Sequence, residues 1–182
     1  MPRKRYDGSG KRSERPANMG VEIHDGITVR ITRCFDHPPS TLFAAFTTPE
    51  LAAQWMWAGL GSQPNAQIDL RIGGRYRIAI SADPDDHSWP GDERAMRGVY
   101  LEIEPNRRLV YTLHWDADVG YNRPCLDSID EAVTVDFRET EAGCLLVFSH
   151  VGLPGEAESA EAHALGVQAS FDVLAAILDE SA

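Results

Sequence analysis

The sequence predicts an α+β fold in which a curved antiparallel sheet of about seven strands wraps around one long C-terminal helix. Residues 158–179 are the only long segment whose apolar side chains recur at helical spacing. One face of this helix carries Ala164, Val167, Phe171, Leu174 and Leu178. Most of the chain before it has the pattern of strands. Because one amphipathic helix cannot bury its apolar face alone, the strands must form a sheet that curls around it.

The first predicted strand runs from about residue 27 to residue 35 and has one apolar face, because Val29 and Ile31 alternate with polar residues. Two short helices should follow. The first covers about 39–46. The second starts at Thr48-Pro49-Glu50, where threonine suits the N-cap, proline the first helical position and glutamate the first turn.

Six further strands complete the predicted sheet, at about 66–72, 74–82, 94–104, 108–116, 130–139 and 144–151. Three of their connections are tight turns, whereas 83–93 and 117–129 are long loops. In an antiparallel meander successive connections alternate between the two ends of the sheet, so both long loops belong to one end. We expect an opening to the interior there, rimmed by 55–63, 83–93, 117–129 and 152–158.

Charge divides the chain into a basic tail and an acidic domain. Residues 1–20 carry six basic and two acidic side chains, and the remainder carries eleven basic and twenty-six acidic ones, a net charge of −15. We predict a disordered tail at 1–20 and one domain at 21–182. A surface this acidic repels nucleic acid and anionic membranes, so neither is an expected partner of the domain.

The cysteines indicate a reducing compartment. Cys34, Cys125 and Cys144 are odd in number, widely spaced and never in a CxxC pair, which excludes a disulfide framework and gives no zinc motif. The chain also has no apolar run near about twenty residues and no signal-peptide pattern. We expect a cytoplasmic protein.

Several short motifs follow one another through the domain. They are Phe43 and Phe46 ahead of Thr48-Pro49-Glu50-Leu51, then Asp69-x-Arg71-x-Gly73-Gly74, Gly98-x-Tyr100-x-Glu102-Ile103-x-Pro105, Val133-x-Val135-x-Phe137 and His150-x-Gly152-Leu153. In these motifs residues 26–180 resemble the activator of Hsp90 ATPase homologue 1-like (AHSA1-like) family of the START/Bet v 1-like (SRPBCC) superfamily. The resemblance implies a helix-grip fold with an internal cavity. One departure is that the family usually has tryptophan after the glycine early in the last helix, whereas Val167 follows Gly166 here.

The cavity that the resemblance implies should be lined by large apolar residues and one histidine. The candidates are Phe43, Phe46, Trp55, Trp57, Tyr76, Met96, Trp115, Phe148, His150, Val167, Phe171 and Leu174. Aromatic residues at such spacing also serve as ordinary core, so each of them has a second interpretation.

Polar candidates are fewer, and each has a structural alternative. His150 shares a strand face with Leu146 and Phe148, where a hydrogen-bonded core histidine is the commoner interpretation. The candidates for catalysis are His150, His114, Tyr100 and Arg75. Asp69, Arg71, Gly73 and Gly74 fit a structural hairpin, although a polar group offered to a ligand is the alternative.

No metal and no cofactor is predicted. The acidic loop 83–93 lacks the ligand spacing of a calcium-binding EF-hand, and no dinucleotide, phosphate-binding or nucleophile motif occurs. Binding of a small hydrophobic or amphipathic ligand is the favoured function. The alternatives are a cofactor-independent cyclase, dehydratase or hydrolase using the same cavity, and an Hsp90 co-chaperone that activates the ATPase. The co-chaperone, with its chaperone partner and stress role, rests on the family name alone. A homodimer is a further possibility for the oligomeric state, since relatives of this size commonly form dimers.

Overall fold

The backbone forms a long curved sheet and three helices within the part of the chain that is described. The structure, a computed structural model, describes residues 20–24, 28–57, 64–81, 93–116, 131–152 and 157–180. In chain order the elements are β1 (Gly20–His24), β2 (Thr28–Phe35), α1 (Pro39–Thr47), α2 (Pro49–Trp55), β3 (Asn65–Ile68), β4 (Arg75–Ser81), β5 (Glu93–Glu104), β6 (Arg108–Thr112), β7 (His114–Asp116), β8 (Ala132–Thr140), β9 (Gly143–Val151) and α3 (Ala157–Glu180).

All described strands belong to one antiparallel sheet. Its spatial order is β1-β2-β9-β8-β6-β5-β4-β3, with β7 beside β5. Strands β3, β4, β5, β6, β8 and β9 are neighbours in that order, as in a meander, and β9 returns to lie beside β2. The predicted α+β helix-grip architecture is confirmed: a curved antiparallel sheet, two short helices after the first predicted strand and a long C-terminal helix.

The described sheet has nine strands where about seven were predicted. One addition is β1, an edge strand exposed along its whole length, whose burial gives no one-sided apolar pattern. The other comes from a break in the predicted strand 108–116. At the break, the backbone N–H of Val99 donates to the Thr112 hydroxyl oxygen (3.0 Å), and the Thr112 carbonyl accepts from Tyr76 (2.8 Å), so the regular ladder is interrupted before Leu113.

Helix α3 contributes its apolar stripe to the core. Ala164, Phe171 and Leu174 are buried, and Val167 and Leu178 are partly buried against the same cluster. Phe171 is fully buried, and its ring packs near those of Phe35, Phe46, Trp55 and Phe148. The helix also contacts β1, β2 and α2. Burial of such an apolar stripe is the main contribution to the free energy that packs the sheet around α3.

The two short helices close one side of the core. Thr48 lies at the N-cap of α2 in extended conformation, but its side chain makes no cap hydrogen bond. Pro49 still starts the helix, because a residue at that position needs no intrahelical N–H partner. The Trp55 indole N–H donates to the Ala45 carbonyl oxygen at 3.0 Å and so ties α2 to α1.

The connection between β3 and β4 is a tight, hydrogen-bonded structure on the surface. Arg71 Nε lies 2.9 Å from Asp69 Oδ2, and both side chains are exposed. Gly73 has a φ of +76° and donates to the Tyr100 carbonyl oxygen at 2.8 Å. A Cβ on Gly74 would lie 2.0 Å from the Asp69 carbonyl oxygen, so only glycine fits there. These four residues are therefore placed to shape the turn.

None of the described helices is both long and apolar enough to cross a lipid bilayer.

Candidate functional site

A cavity of about 230 Å³ lies between α3, α2 and the inner face of the sheet. Its wall is mainly apolar: Phe46 and Trp55 come from the short helices, and Ile80, Met96 and Phe148 come from strands. Helix α3 supplies the remaining side of the wall. Gly166 lines the cavity and is also exposed, so the cavity reaches the surface beside α3.

The cavity lies toward the end of the sheet where the long loops were predicted. Ile80 is near the end of β4 and Arg94 is near the start of β5, and the two residues are paired in the sheet register. Trp57, with a φ of +60°, and Leu113 line the cavity just before the chain leaves the described ranges. The predicted rim segments, including the acidic loop 83–93, lie largely outside the described residues.

Three polar side chains connect the buried interior to this cavity. Glu131 and His150 are buried, and His150 Nε2 lies 3.2 Å from Glu131 Oε1. On the other side of the same imidazole ring, His150 Nδ1 lies 2.8 Å from His163 Nε2. His163 is on α3 and lines the cavity. The three groups are thus hydrogen-bonded in series, with His150 in the middle.

Strand periodicity and sheet register explain how the series is assembled. Glu131 precedes β8 and is two residues from Val133, so both lie on the buried face. Val133 is paired with His150 in β9. Across the core, His163 lies one turn before Val167 along α3, which brings it to the cavity wall.

Burial controls the protonation of the group at the wall. The pKa of His163 is lowered to about 3 by burial and, to a smaller extent, by the charge that His150 carries when protonated. His163 is therefore neutral near pH 7. A neutral imidazole has one N–H donor and one nitrogen lone pair, so it can accept a proton. Within the described residues, no group of three or more His, Cys, Asp or Glu side chains is arranged to hold a metal ion.

Other polar groups at the wall are few. Arg94 brings a cation to the strand side, and Ser170 Oγ donates to the Gly166 carbonyl oxygen at 3.1 Å within α3. Tyr111 also lines the cavity, and burial together with nearby Tyr100 raises the pKa of its phenol well above the usual range. Tyr111 is consequently a neutral hydroxyl near pH 7.

The structure brings together most of the residues predicted for the cavity. Those on the wall are Phe46, Trp55, Trp57, Met96, Phe148, Val167 and Phe171. Phe43 instead packs edge-on against Phe137, 5.7 Å between ring centroids, and Leu174 is buried in the core away from the wall. Tyr76 is in a tyrosine cluster with Tyr100 and Tyr111. The side chain of Trp115 lies outside the described part of the structure.

The four candidates for catalysis are in different environments. His150 is one layer behind the wall and reaches the cavity through His163. His114 is buried in β7 without lining the cavity. Tyr100 is buried, and burial raises the pKa of its phenol, whereas Arg75 is exposed on β4. Of the four, His150 is the one for which the described residues give a hydrogen bond to a side chain of the cavity wall.

Sequence reasoning missed several residues of this site. They are Met56, Ile80, Arg94, Tyr111, Leu113, His163, Gly166 and Ser170 on the wall, and Glu131 behind it. Two periodic signals were present. His163 and Ser170 border the apolar stripe of α3 at a spacing that brings them next to Val167, and Glu131 is in phase with the buried residues of β8.

A family model for "Activator of Hsp90 ATPase homolog 1-like protein" matches residues 36–179, which is most of the chain. No curated protein matches. Among solved structures, a Chromobacterium violaceum protein is 29% identical, with a TM-score of 0.67 over 82% of this chain and 96% of its own.

Two further structures give the same result. A Rhizobium leguminosarum protein described as putative and uncharacterised is 27% identical, with a TM-score of 0.66 over 84% of this chain and 94% of its own. An AHSA1-like protein from Aeromonas hydrophila is 16% identical and shares the fold, with a TM-score of 0.61 over 85% and 94% of the two chains. The family match and the helix-grip fold agree, and the chain belongs to the family of activator of Hsp90 ATPase homologue 1-like proteins, consistent with the SRPBCC superfamily.

Proposed function

We propose that this protein binds a small, largely apolar molecule in the cavity between α3 and the sheet. The observation that carries the proposal is the cavity itself, about 230 Å³ with aromatic and aliphatic walls and a few polar groups. Binding sites for small molecules commonly combine these features. Family membership supports a ligand-binding domain in general terms and does not specify the ligand.

The volume limits the size of the ligand. An apolar cavity of about 150 Å³ is known to hold benzene, so a cavity of about 230 Å³ suits one substituted ring or a short branched chain. The polar atoms favour an amphipathic ligand over a pure hydrocarbon. Arg94 and His163 both line the cavity, and a polar group of the ligand near either side chain could hydrogen-bond to it.

The experiment is calorimetric titration with para-nitrotoluene, a one-ring molecule that carries no ionisable proton. We expect saturable binding to the wild-type protein. Val167→Trp should weaken it by at least about tenfold, because an indole at this wall position fills the volume that the ring needs. Ala169→Trp is the matched control, since Ala169 is exposed on the same helix, and it should bind like the wild type.

Absence of binding to the wild type would count against the proposed function. Equal weakening by both tryptophan variants would show that binding depends on the surface of α3 instead of the cavity. Native mass spectrometry of protein purified from its own host adds a search for the physiological ligand. A bound ligand should be released when the protein is denatured, and less of it should be found with Val167→Trp.

A further inference from the structure

The series Glu131, His150 and His163 has a defined direction. When the Glu131 carboxylate carries no proton it can only accept hydrogen bonds, and His150 Nε2–H then donates to Glu131 Oε1 across 3.2 Å. When His150 is neutral its Nδ1 has a lone pair, and it then accepts from His163 Nε2–H across 2.8 Å. In this arrangement each histidine has its proton on Nε2, and each proton is directed away from the cavity and toward the carboxylate.

This arrangement differs from an ordinary structural use of a core histidine. A hydrogen bond from one ring N–H to a backbone carbonyl is enough to hold a core imidazole in place, whereas here a fully buried ring bridges a buried carboxylate and a second imidazole. The carboxylate is 2% exposed, so its charge is compensated by protein groups and hardly by water. A network of this kind is costly to bury, and it ends at a ligand-sized cavity.

We propose that Glu131, His150 and His163 form a proton relay that accepts a proton from a weakly acidic ligand bound in the cavity. The inference rests on the proposed function, because it requires a ligand beside His163. It adds a chemical activity to binding. In this account His163 is the catalytic base, and His150 and Glu131 are positioning residues that act through it.

The proton transfer is balanced within the protein and the ligand. The ligand X–H gives its proton to His163 Nδ1, and the electron pair of the X–H bond stays on X. His163 passes the proton on its Nε2 to His150 Nδ1. The products are the ligand anion, a neutral His163 and a protonated His150 beside ionised Glu131. Reversal with return of the proton to a different ligand atom gives an isomerisation, and no other reactant is needed.

Electrostatics favour the extra proton on His150 over the extra proton on His163. The low pKa of His163, about 3, means that a charge on this ring is strongly opposed by burial. A charge on His150 faces Glu131 at 3.2 Å and is offset by the carboxylate. Arg94 of β5 and the neutral phenol of Tyr111 of β6 line the same cavity wall as His163, and the phenol of Tyr76 in β4 interacts electrostatically with Glu131.

The ligand class follows from the two parts of the site. The apolar wall requires an apolar body, and the relay requires one acidic hydrogen near His163. Phenols, enols and carbon acids next to a carbonyl group meet both conditions. Arg94 is a cation at the same wall and would attract the oxyanion that forms on each of them.

The test uses para-nitrophenol, whose neutral and ionised forms have different absorption spectra. We expect the bound probe to be ionised at a pH at which the free probe is mostly neutral, with its apparent pKa lowered by at least about one unit. Binding of para-nitrotoluene, measured in parallel, reports on the cavity alone. A chelator is present throughout to exclude adventitious metal.

Glu131→Gln is the decisive variant, because the proton relay and simple attraction of the anion to Arg94 predict opposite changes in the ionised fraction of bound para-nitrophenol. Glu131 does not line the cavity, so para-nitrotoluene should bind as in the wild type. If the relay operates, loss of the carboxylate makes His150 a poorer acceptor and the ionised fraction of bound probe falls. If Arg94 alone stabilised the anion, removal of a buried negative charge would increase that fraction.

His163→Gln should also leave bound para-nitrophenol neutral, because glutamine cannot accept the proton. His37→Gln is the matched control. His37 Nε2 lies 3.1 Å from Asp179 Oδ1 at the surface, so this variant removes a histidine–carboxylate pair of similar geometry outside the relay. Its bound probe should be as ionised as in the wild type.

The outcomes separate the two proposals. Binding of both probes with para-nitrophenol bound in its neutral form overturns the relay and leaves the binding cavity in place. An ionised fraction that is unchanged or higher in Glu131→Gln also overturns the relay. If neither probe binds, the proposed function has failed and the relay fails with it.

Discussion

The interior between α3 and the sheet is filled at one end and open at the other. At the filled end, Phe137 has an edge-on neighbour in Phe43 at 5.7 Å between ring centroids, and Phe46, 5.5 Å from Phe137, lies between this end and the cavity wall that it also lines. At the open end the same helix offers Gly166 and Val167, and a cavity of about 230 Å³ remains. The two ends share one sheet and one helix. Side-chain size therefore determines where the protein has a binding volume, while the backbone architecture is common to both ends.

The two ends also differ in polarity. Thr112, His114, Glu131 and His150 are all buried, and they lie where β6 ends, β7 and β8 begin and β9 ends. This is the side of the sheet on which the cavity lies. Buried polar groups cost free energy unless they are hydrogen-bonded, so their concentration beside the cavity indicates that the open end is specialised for more than packing.

The largest expected effect is a difference in the free energy of unfolding between alanine substitutions at the two ends. Phe137→Ala should lower the free energy of unfolding by about 3–5 kcal/mol, because Phe137 is buried among other rings. Met96→Ala should cost clearly less, since Met96 is partly exposed and already borders open volume. Urea denaturation measures both. Equal losses would show that the open end is packed as tightly as the filled end.

A second expectation concerns how the free energy of unfolding changes as the pH falls. The pKa of His163 is lowered from 6.5 to about 3, so the folded protein keeps this group neutral while the unfolded chain takes up a proton below pH 6.5. Stability from this site is present above pH 6.5 and is lost as the pH falls, by at most about 1.4 kcal/mol per pH unit.

The measurement is the free energy of unfolding of the wild type and of His163→Gln at several pH values. Between pH 6.5 and about pH 5, the wild type should lose up to about 2 kcal/mol more than the variant. The variant removes the imidazole that titrates. The surface carboxylates are the same in both proteins, so their contribution to the pH dependence cancels in the comparison. Parallel curves for the two proteins would show that His163 titrates normally.

The smallest expected effect is a gain in stability from a substitution at Gly166, where the cavity reaches the surface. A Cβ added at Gly166 meets no atom within 4 Å, and the residue lies in the middle of α3. Gly166→Ala should raise the free energy of unfolding by up to about 1 kcal/mol, since alanine loses less backbone entropy in a helix. Thermal unfolding detects this change. A loss of stability would mean that the added methyl group disturbs the open end.

The fold could be predicted from the sequence because its main determinants are local and periodic. The stripe from Ala164 to Leu174 and the alternation in β8 and β9 each indicate a buried face without knowledge of the partner. The strand count was less predictable. Strand β1 alternates Val21 and Ile23 with polar residues but is only five residues long and is exposed throughout. The break before Leu113 depends on the hydrogen bond from the Val99 N–H to the Thr112 hydroxyl oxygen across the sheet.

The site was predictable in its apolar part, but in its polar part only His150 was among the predicted residues. Aromatic residues such as Trp55 and Phe148 indicate a core or cavity wall by their own chemistry. The pairing of His150 with Glu131 depends on the register of β8 against β9, and its contact with His163 depends on how α3 lies across the sheet. A carboxylate beside a long loop has the sequence pattern of a surface residue, so Glu131 was not singled out.

The most direct test of the cavity as a binding site is nuclear magnetic resonance of protein labelled at its methionine methyl groups, with para-nitrotoluene added. Met56, directly after α2, and Met96 of β5 line the cavity from different elements of the fold. The account predicts nuclear Overhauser effects from the bound probe to both methyl groups. Saturable binding of the probe without an Overhauser effect to either methionine would contradict it.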